Sequence, residues 1–234
     1  MRLGEFKVIG HRGFAGRYPE NTMLSFRKAL EAGADGFELD VRVTGDGHAV
    51  IHHDESTRRT TGVEKDLLRT SLAELRELDA GRGERIPTLD EVLAWARGER
   101  AIVAIELKEP EPAAAAVEAA LRHGLKERVV FASFLPDVLE APRERGFLVG
   151  FLASEEMEDS FQVARELKAA VFLPAFSILA ADTGIVTRAE TAGIATVPWT
   201  VNDPQKLAAV RRWGCAGVIT DWPDRGAAVR DAPR

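Results

Sequence analysis

A single cysteine, Cys215, leaves this 234-residue chain without any possible intrachain disulfide, so its stability has to come from a buried core. It also lacks a basic excess: 37 acidic residues against 31 lysines and arginines give a net charge of −6, which argues against a long polyanion, and no nucleic acid partner is expected. No apolar run approaches the roughly 20 residues of a bilayer span, since even AAAAVEAAL (113–121) is bounded by charge. The opening MRLGEFKVIGHRG (1–13) has no uninterrupted apolar stretch of the kind a secretory signal carries, and the expected compartment is the reducing cytoplasm. Three catalytic signatures are missing as well. Without a G-x-S-x-G elbow, a G-x-x-x-x-G-K-[ST] loop or an H-E-x-x-H helix, the serine-hydrolase, nucleotide-loop and zincin classes lose their sequence support.

What is present is an ordinary globular composition, 45 % apolar and 29 % charged, in a length that suits one barrel domain over 1–234. Short runs rich in Val, Ile and Phe recur, each followed by a helix-period stretch, as repeated βα units require. Eight such runs can be counted: 7–10, 36–43, 101–108, 129–134, 148–153, 170–175, 194–200 and 217–221. The expected fold is therefore α/β, a single (β/α)8 TIM barrel. Helix starts are marked by Ser71 with Glu74, Thr88 with Glu91, Thr187 with Glu190, and Asp203 before Pro204. Gly33, Gly124, Gly193 and Gly214 stand where helices should stop. One interval, about 44–87, breaks the rhythm between the second and third runs. Its Gly45-Asp46-Gly47 turn predicts a hairpin and SLAELREL (71–78) a short helix, so this insertion should cap one rim of the barrel.

In GFELDVRV (36–43) the strand period of two puts Glu38, Asp40 and Arg42 on one face and the apolar residues on the other. The apolar face should meet the helices, which sends the acids inward. AIVAIELK (101–108) repeats the arrangement with Glu106 and Lys108. Inward carboxylates are costly unless neutralised. Glu38, Asp40 and Glu106 are thus candidate oxygen ligands of one hard divalent cation, Mg2+ or Ca2+; the competing reading is a buried ion-pair network built with Arg42 and Lys108. Two of the five histidines, His11 after the first strand and His53 at the end of the hairpin, stand at rim positions where barrel enzymes place their chemistry. His52 should point away from its neighbour, and His48 and His123 are given no role. A metal to polarise phosphoryl oxygens, cations to neutralise charge and two histidines to exchange protons together point to phosphate chemistry.

These residues resemble the glycerophosphodiester phosphodiesterase family over nearly the whole chain. GHRGFAGRYPENT (10–22) is similar to that family's opening motif, FELDVRVTGDGHAVIHHDESTRRTTG (37–62) to its second block and IELK (105–108) to its third, with PWTVND (198–203) and GVITDWP (217–223) similar to the closing blocks. The resemblance implies His11 and His53 as the acid–base pair, Glu38, Asp40 and Glu106 as metal ligands, Arg12 and Lys108 as phosphate contacts, and products that are an alcohol and glycerol 3-phosphate. It also implies that the glycerol hydroxyl beside the phosphate acts as an internal nucleophile. Glu20 and Asn21 stand where either could support His11, though Asn21 is read first as the N-cap of the helix TMLSFRKALEA (22–32). Trp199 either lines the alcohol side of the pocket or packs at the rim. Asp221 is read as a loop cap outside the site. Two rivals stand beside the hydrolase: a phosphoinositide-phospholipase-C-like lyase on the same barrel, and a catalytically silent binding module. The oligomeric state is open.

Overall fold

A computed structural model describes residues 5–154, 157 and 159–233. Nine strands follow in chain order: β1 (Lys7–Gly10), β2 (Gly36–Val43), β3 (Ala49–Ile51), β4 (Ile102–Leu107), β5 (Val129–Ser133), β6 (Leu148–Ala153), β7 (Val171–Pro174), β8 (Ala195–Thr196) and β9 (Gly217–Thr220). All but β3 are parallel and run in the order β8-β7-β6-β5-β4-β2-β1-β9, a nearly closed barrel of eight strands. The eighth-to-first neighbour contact is made by β9 lying in register on β1, with Gly10 beside Thr220. β8 is brief because Pro174 of β7 has no N–H to give to Val197 O, although Val197 N–H still donates to Phe172 O and Trp199 N–H to Pro174 O, at 2.9 and 3.0 Å. The chain nonetheless stays hydrogen-bonded to β9, with Ala216 N–H donating to Thr196 O and Val201 N–H to Ile219 O, at 2.9 and 3.0 Å.

The alternation read from the sequence holds in the packing. Phe37, Leu39 and Val41 of β2 join Val103, Ile105 and Leu107 of β4 in the layer under the helices, where Leu89, Val92, Leu93 and Ala96 of the helix Leu89–Ala96 meet them. The barrel interior is filled instead by smaller side chains such as Ala104, Ala132, Leu152 and Val171. Glu38, Asp40 and Glu106 occupy inward positions of β2 and β4, with Asp40 directly opposite Glu106.

Capping agrees at most of the marked positions. Ser71 with Glu74 and Thr88 with Glu91 form full capping boxes, and Asp203 accepts from the N–H groups of Gln205 and Lys206. The Thr187–Glu190 box does not form. Asp182 Oδ1 accepts the Gly184 N–H at 3.0 Å, so that helix starts a turn earlier, at Gly184, and Thr187 lies inside it. Asn21 is not a cap either: Thr22 takes the Ser25 N–H and starts the helix Met23–Glu31.

Between β2 and β4 the hairpin forms as expected, β3 running antiparallel with Val41 opposite Ile51 and Val43 opposite Ala49. The segment has its own small core of Val50, Leu67, Leu75, Ala80 and Ile86. Among the described residues no helix is long and apolar enough to cross a membrane.

Candidate active site

The His-Arg-Gly turn after β1 is a tight fold of backbone on backbone. Gly13 sits at φ 84°, and a Cβ there would lie 2.4 Å from Ser25 Oγ and 2.6 Å from the Ser25 carbonyl carbon. Only glycine lets this loop lie against the start of the helix Met23–Glu31, where Phe14 N–H donates to Ser25 Oγ at 2.8 Å. Gly13→Ala is therefore expected to destabilise the protein by at least ~1–3 kcal/mol in denaturant unfolding; an unchanged midpoint would show that the turn relaxes. Arg12 and Asn21 also occupy the left-handed region, at φ 47° and 56°. Such backbone persists only where its surroundings hold it. Here the Asn21 N–H donates to Arg12 O, and the Arg12 N–H to Glu38 Oε2 at 2.9 Å.

Three acids converge below this turn. Asp40 and Glu106 are directly paired across β2 and β4, and Glu38 lies one inward position back. One carboxylate oxygen from each lies within 4.8 Å of the other two, and the residues are 5 %, 1 % and 8 % exposed for Glu38, Asp40 and Glu106. Lys108 Nζ lies 2.8 Å from Asp40 Oδ1 and 2.5 Å from Glu106 Oε1, while Arg12 Nε lies 3.3 Å from Asp40 Oδ2. Asn21 Nδ2 donates to the same Asp40 Oδ2 at 2.7 Å.

The electrostatics separate the three. Burial works to raise the pKa of Asp40, but the charges of Lys108 and Arg12 outweigh it and hold the group well below the usual carboxylate range. Glu106, pushed up to about 7 by burial and then by Asp40, is only partly compensated by Lys108. Glu38 is raised well above its ordinary value, first by burial and then by Asp40 and Glu106. Three acids thus face two cations. The buried Glu38 Oε1 has no hydrogen-bond partner among the described residues. An all-oxygen donor set, in which buried Glu38 Oε1 has neither a hydrogen bond nor an ion pair among the described residues, together with a shortfall of positive charge fits a hard divalent cation.

The two histidines come from separate segments, each anchored by a carboxylate. His11 Nδ1 lies 2.6 Å from Asp221 Oδ1, and Asp221 is itself held by Asn202, whose Nδ2 donates to Asp221 Oδ2 at 2.6 Å. His53 Nδ1 lies 2.6 Å from Asp54 Oδ1. An ionised carboxylate can only accept, so each ring carries its proton on Nδ1 and leaves Nε2 as the nitrogen that can exchange a proton. His53 is held further by Arg42, whose Nε donates to the His53 carbonyl at 2.7 Å. Burial pushes the His53 pKa down against the opposing pull of Asp40, the charge it faces.

His52 points the other way, as alternation requires: it is buried, with Nδ1 on Asp54 O and Nε2 on Thr60 Oγ1. Arg42 is turned away from the three acids; its Nη1 pairs with Glu109 at 3.2 Å. Glu20 supports Arg12 at 2.8 Å, and not His11. Trp199 packs at the rim, its indole N–H on Leu173 O and its ring edge-on to Phe134.

Asp221, read from the sequence as a loop cap outside the site, instead holds His11, and Asp54 and Asn202, which the sequence pattern did not single out, hold His53 and Asp221. Asp54 follows His53 directly, and closure of the barrel sets the residues after β1 and β9 side by side. Those two signals could have found them.

With this geometry in place, the match to known proteins is specific. The model of the Glycerophosphoryl diester phosphodiesterase family matches residues 11–225. The chain belongs to this family. The glycerophosphodiester phosphodiesterase of Caldanaerobacter subterraneus is 34 % identical over 234 residues, covering 93 % of this chain and 94 % of the relative. The crystal structure of the Thermotoga maritima glycerophosphodiester phosphodiesterase shares 32 % identity at a TM-score of 0.83, covering 97 % of this chain and 98 % of that one. An Oleispira antarctica phosphodiesterase, solved in complex with the product sn-glycerol-3-phosphate, superposes at a TM-score of 0.89 with 30 % identity and 97 % of both chains covered. Like these relatives, the chain is a phosphodiesterase, a phosphoric diester hydrolase.

Proposed function

We propose that this family member hydrolyses glycerophosphodiesters to an alcohol and sn-glycerol 3-phosphate, using a divalent cation, Mg2+ or Ca2+, held by Glu38, Asp40 and Glu106. The observation that carries this reading is a pair of carboxylate-anchored histidines, His11 next to Arg12 and His53 facing the charge of Asp40, together with a buried, undercompensated cluster of three acids. When bound, the cation supplies charge neutralisation and polarisation at the phosphoryl oxygens.

The chain's own groups do the rest. Arg12 and Lys108 present their positive charge beside the acids, where a phosphodiester anion would lie. His11 and His53 approach from the β1 loop and from the insertion, so one can accept a proton from the attacking oxygen while the other donates to the departing alkoxide. Asp221 and Asp54 stabilise the imidazolium that each step creates.

The deciding experiment is a coupled glycerol 3-phosphate dehydrogenase assay over several glycerophosphodiesters, since it reads reaction and substrate together. Glycerophosphocholine, glycerophosphoethanolamine and glycerophosphoglycerol are expected to differ modestly in kcat/KM, because binding energy is concentrated on the phosphate and the glycerol side. A 2-deoxyglycerol analogue is expected to fail if the neighbouring hydroxyl is the internal nucleophile, and phosphorus NMR should then show a transient cyclic phosphate with the natural diesters. Equal cleavage of the analogue would rule out that route in favour of direct attack by water. Accumulation of cyclic phosphate as the end product would favour the lyase.

A further inference from the structure

Arg59 is bonded to neither the three acids nor either imidazole, yet it is bonded to the partners of both sides of the site. It lies in the short helix Arg58–Thr61 of the insertion, with its side chain 47 % exposed. Its Nε donates to Asp54 Oδ2 at 2.6 Å, and its Nη1 and Nη2 donate to the two oxygens of Glu20 at 2.7 Å each. Asp54 uses its other oxygen for His53 Nδ1, and Glu20 Oε1 also accepts from Arg12 Nη1. Glu20 comes from the loop after β1, whereas Asp54 belongs to the insertion. One guanidinium therefore joins the two segments that carry the phosphate-side arginine and a proton-transfer histidine.

We infer that Arg59 is a positioning residue, whose planar fork sets the placement of His53 relative to Arg12 by clamping Asp54 and Glu20 together. The inference rests on the function proposed above. The backbone around Arg59 is fixed on both sides, since His52 holds both the Asp54 carbonyl and the Thr60 hydroxyl, and the carbonyl of the buried Thr57 accepts the N–H of Thr61. An arginine suits this position because three N–H bonds diverge from it in one fixed plane; a lysine there brings the charge without the fork. Two effects can thus be separated. The charge keeps Glu20 and Asp54 from repelling an anionic diester, which acts on KM, and the fork fixes geometry, which acts on kcat.

The test is steady-state kinetics with glycerophosphocholine on Arg59→Gln and Arg59→Lys, with thermal unfolding measured in parallel and His53→Ala as a companion. Arg59→Gln is expected to lower kcat by roughly 10–100-fold, the scale seen when a partner that orients a first-line group is removed, and to raise KM. Arg59→Lys should recover KM and leave kcat low, with both unfolding midpoints unchanged. Adding Arg59→Gln to His53→Ala should cost less than Arg59→Gln costs alone. The role of Arg59 is overturned by wild-type kcat in either single variant, by losses that follow a fall in unfolding temperature, or by full additivity with His53→Ala. Undiminished kcat in His53→Ala would sink the acid–base reading itself, and the inference with it, so the two failures are distinguishable.

Discussion

Stripping divalent metal from the protein is expected to abolish turnover and to lower its thermal unfolding midpoint by about 5–10 °C, both restored by added Mg2+ or Ca2+. The activity follows from the arrangement of Glu38, Asp40 and Glu106, which bring one oxygen each within 4.8 Å of one another, with Lys108 and Arg12 as the cations paired to them among the described residues. The stability shift follows from mass action: a ligand present at about 100 times its Kd and bound by the native state alone contributes about 2.7 kcal/mol. In a chain of this size each kcal/mol moves the midpoint by about 2–4 °C. Glu38→Gln should blunt the metal-induced shift, because it replaces the carboxylate whose Oε1 has no partner among the described residues. The competing reading, a self-sufficient ion-pair network, predicts full activity and an unmoved midpoint in verified metal-free protein. That outcome would withdraw the metal assignment.

The barrel was legible because its strands are defined by local pattern. β1, β2 and β6 have the boundaries read from the sequence, since each run of β-branched and aromatic residues ends at a glycine or a polar turn residue. β8 shrinks to two residues because Pro174 of β7 cannot donate to Val197 O, which interrupts a ladder that the hydrophobic pattern alone would extend. The acids were legible for the same reason: a period of two decides which side of a strand faces inward. What escaped depends on long-range closure. Asp221 is 210 positions from His11 and reads locally as a loop cap; only the pairing of β9 on β1 brings its carboxylate to the imidazole. Asn21 reads as a cap because it and Thr22 are both good capping residues in adjacent positions. Its left-handed backbone turns its side chain to Asp40, leaving the cap to Thr22. Arg59 escaped because its exposed position in the RRTT helix carries no periodic signal, and Glu20, which takes two of its three bonds, lies 39 positions away on the loop after β1.

Replacing His11 or His53 by alanine is expected to lower kcat by about 10²–10⁴-fold, the range of general acid–base catalysis, with little change in unfolding midpoint. Neither ring belongs to the core: the side chains are 20 % and 34 % exposed, and among the described residues the hydrogen bonds their rings make are those to Asp221 and Asp54. Asp221→Asn provides the sharper test of how His11 works. The carboxamide preserves the size of the carboxylate and can still accept from Nδ1, but the formal negative charge that stabilises a protonated imidazole is gone. It can also present its amide donor instead, which would favour the tautomer with the proton on Nε2. If His11 cycles through the imidazolium, kcat should fall substantially while KM changes little, and the double variant with His11→Ala should be no worse than His11→Ala alone. The same holds for Asp54→Asn with His53, with an added loss through Arg59. An Asp221→Asn enzyme with wild-type kcat would mean that His11 never carries a full positive charge, and its place in the proton transfer would have to be given up even if His11→Ala were inactive.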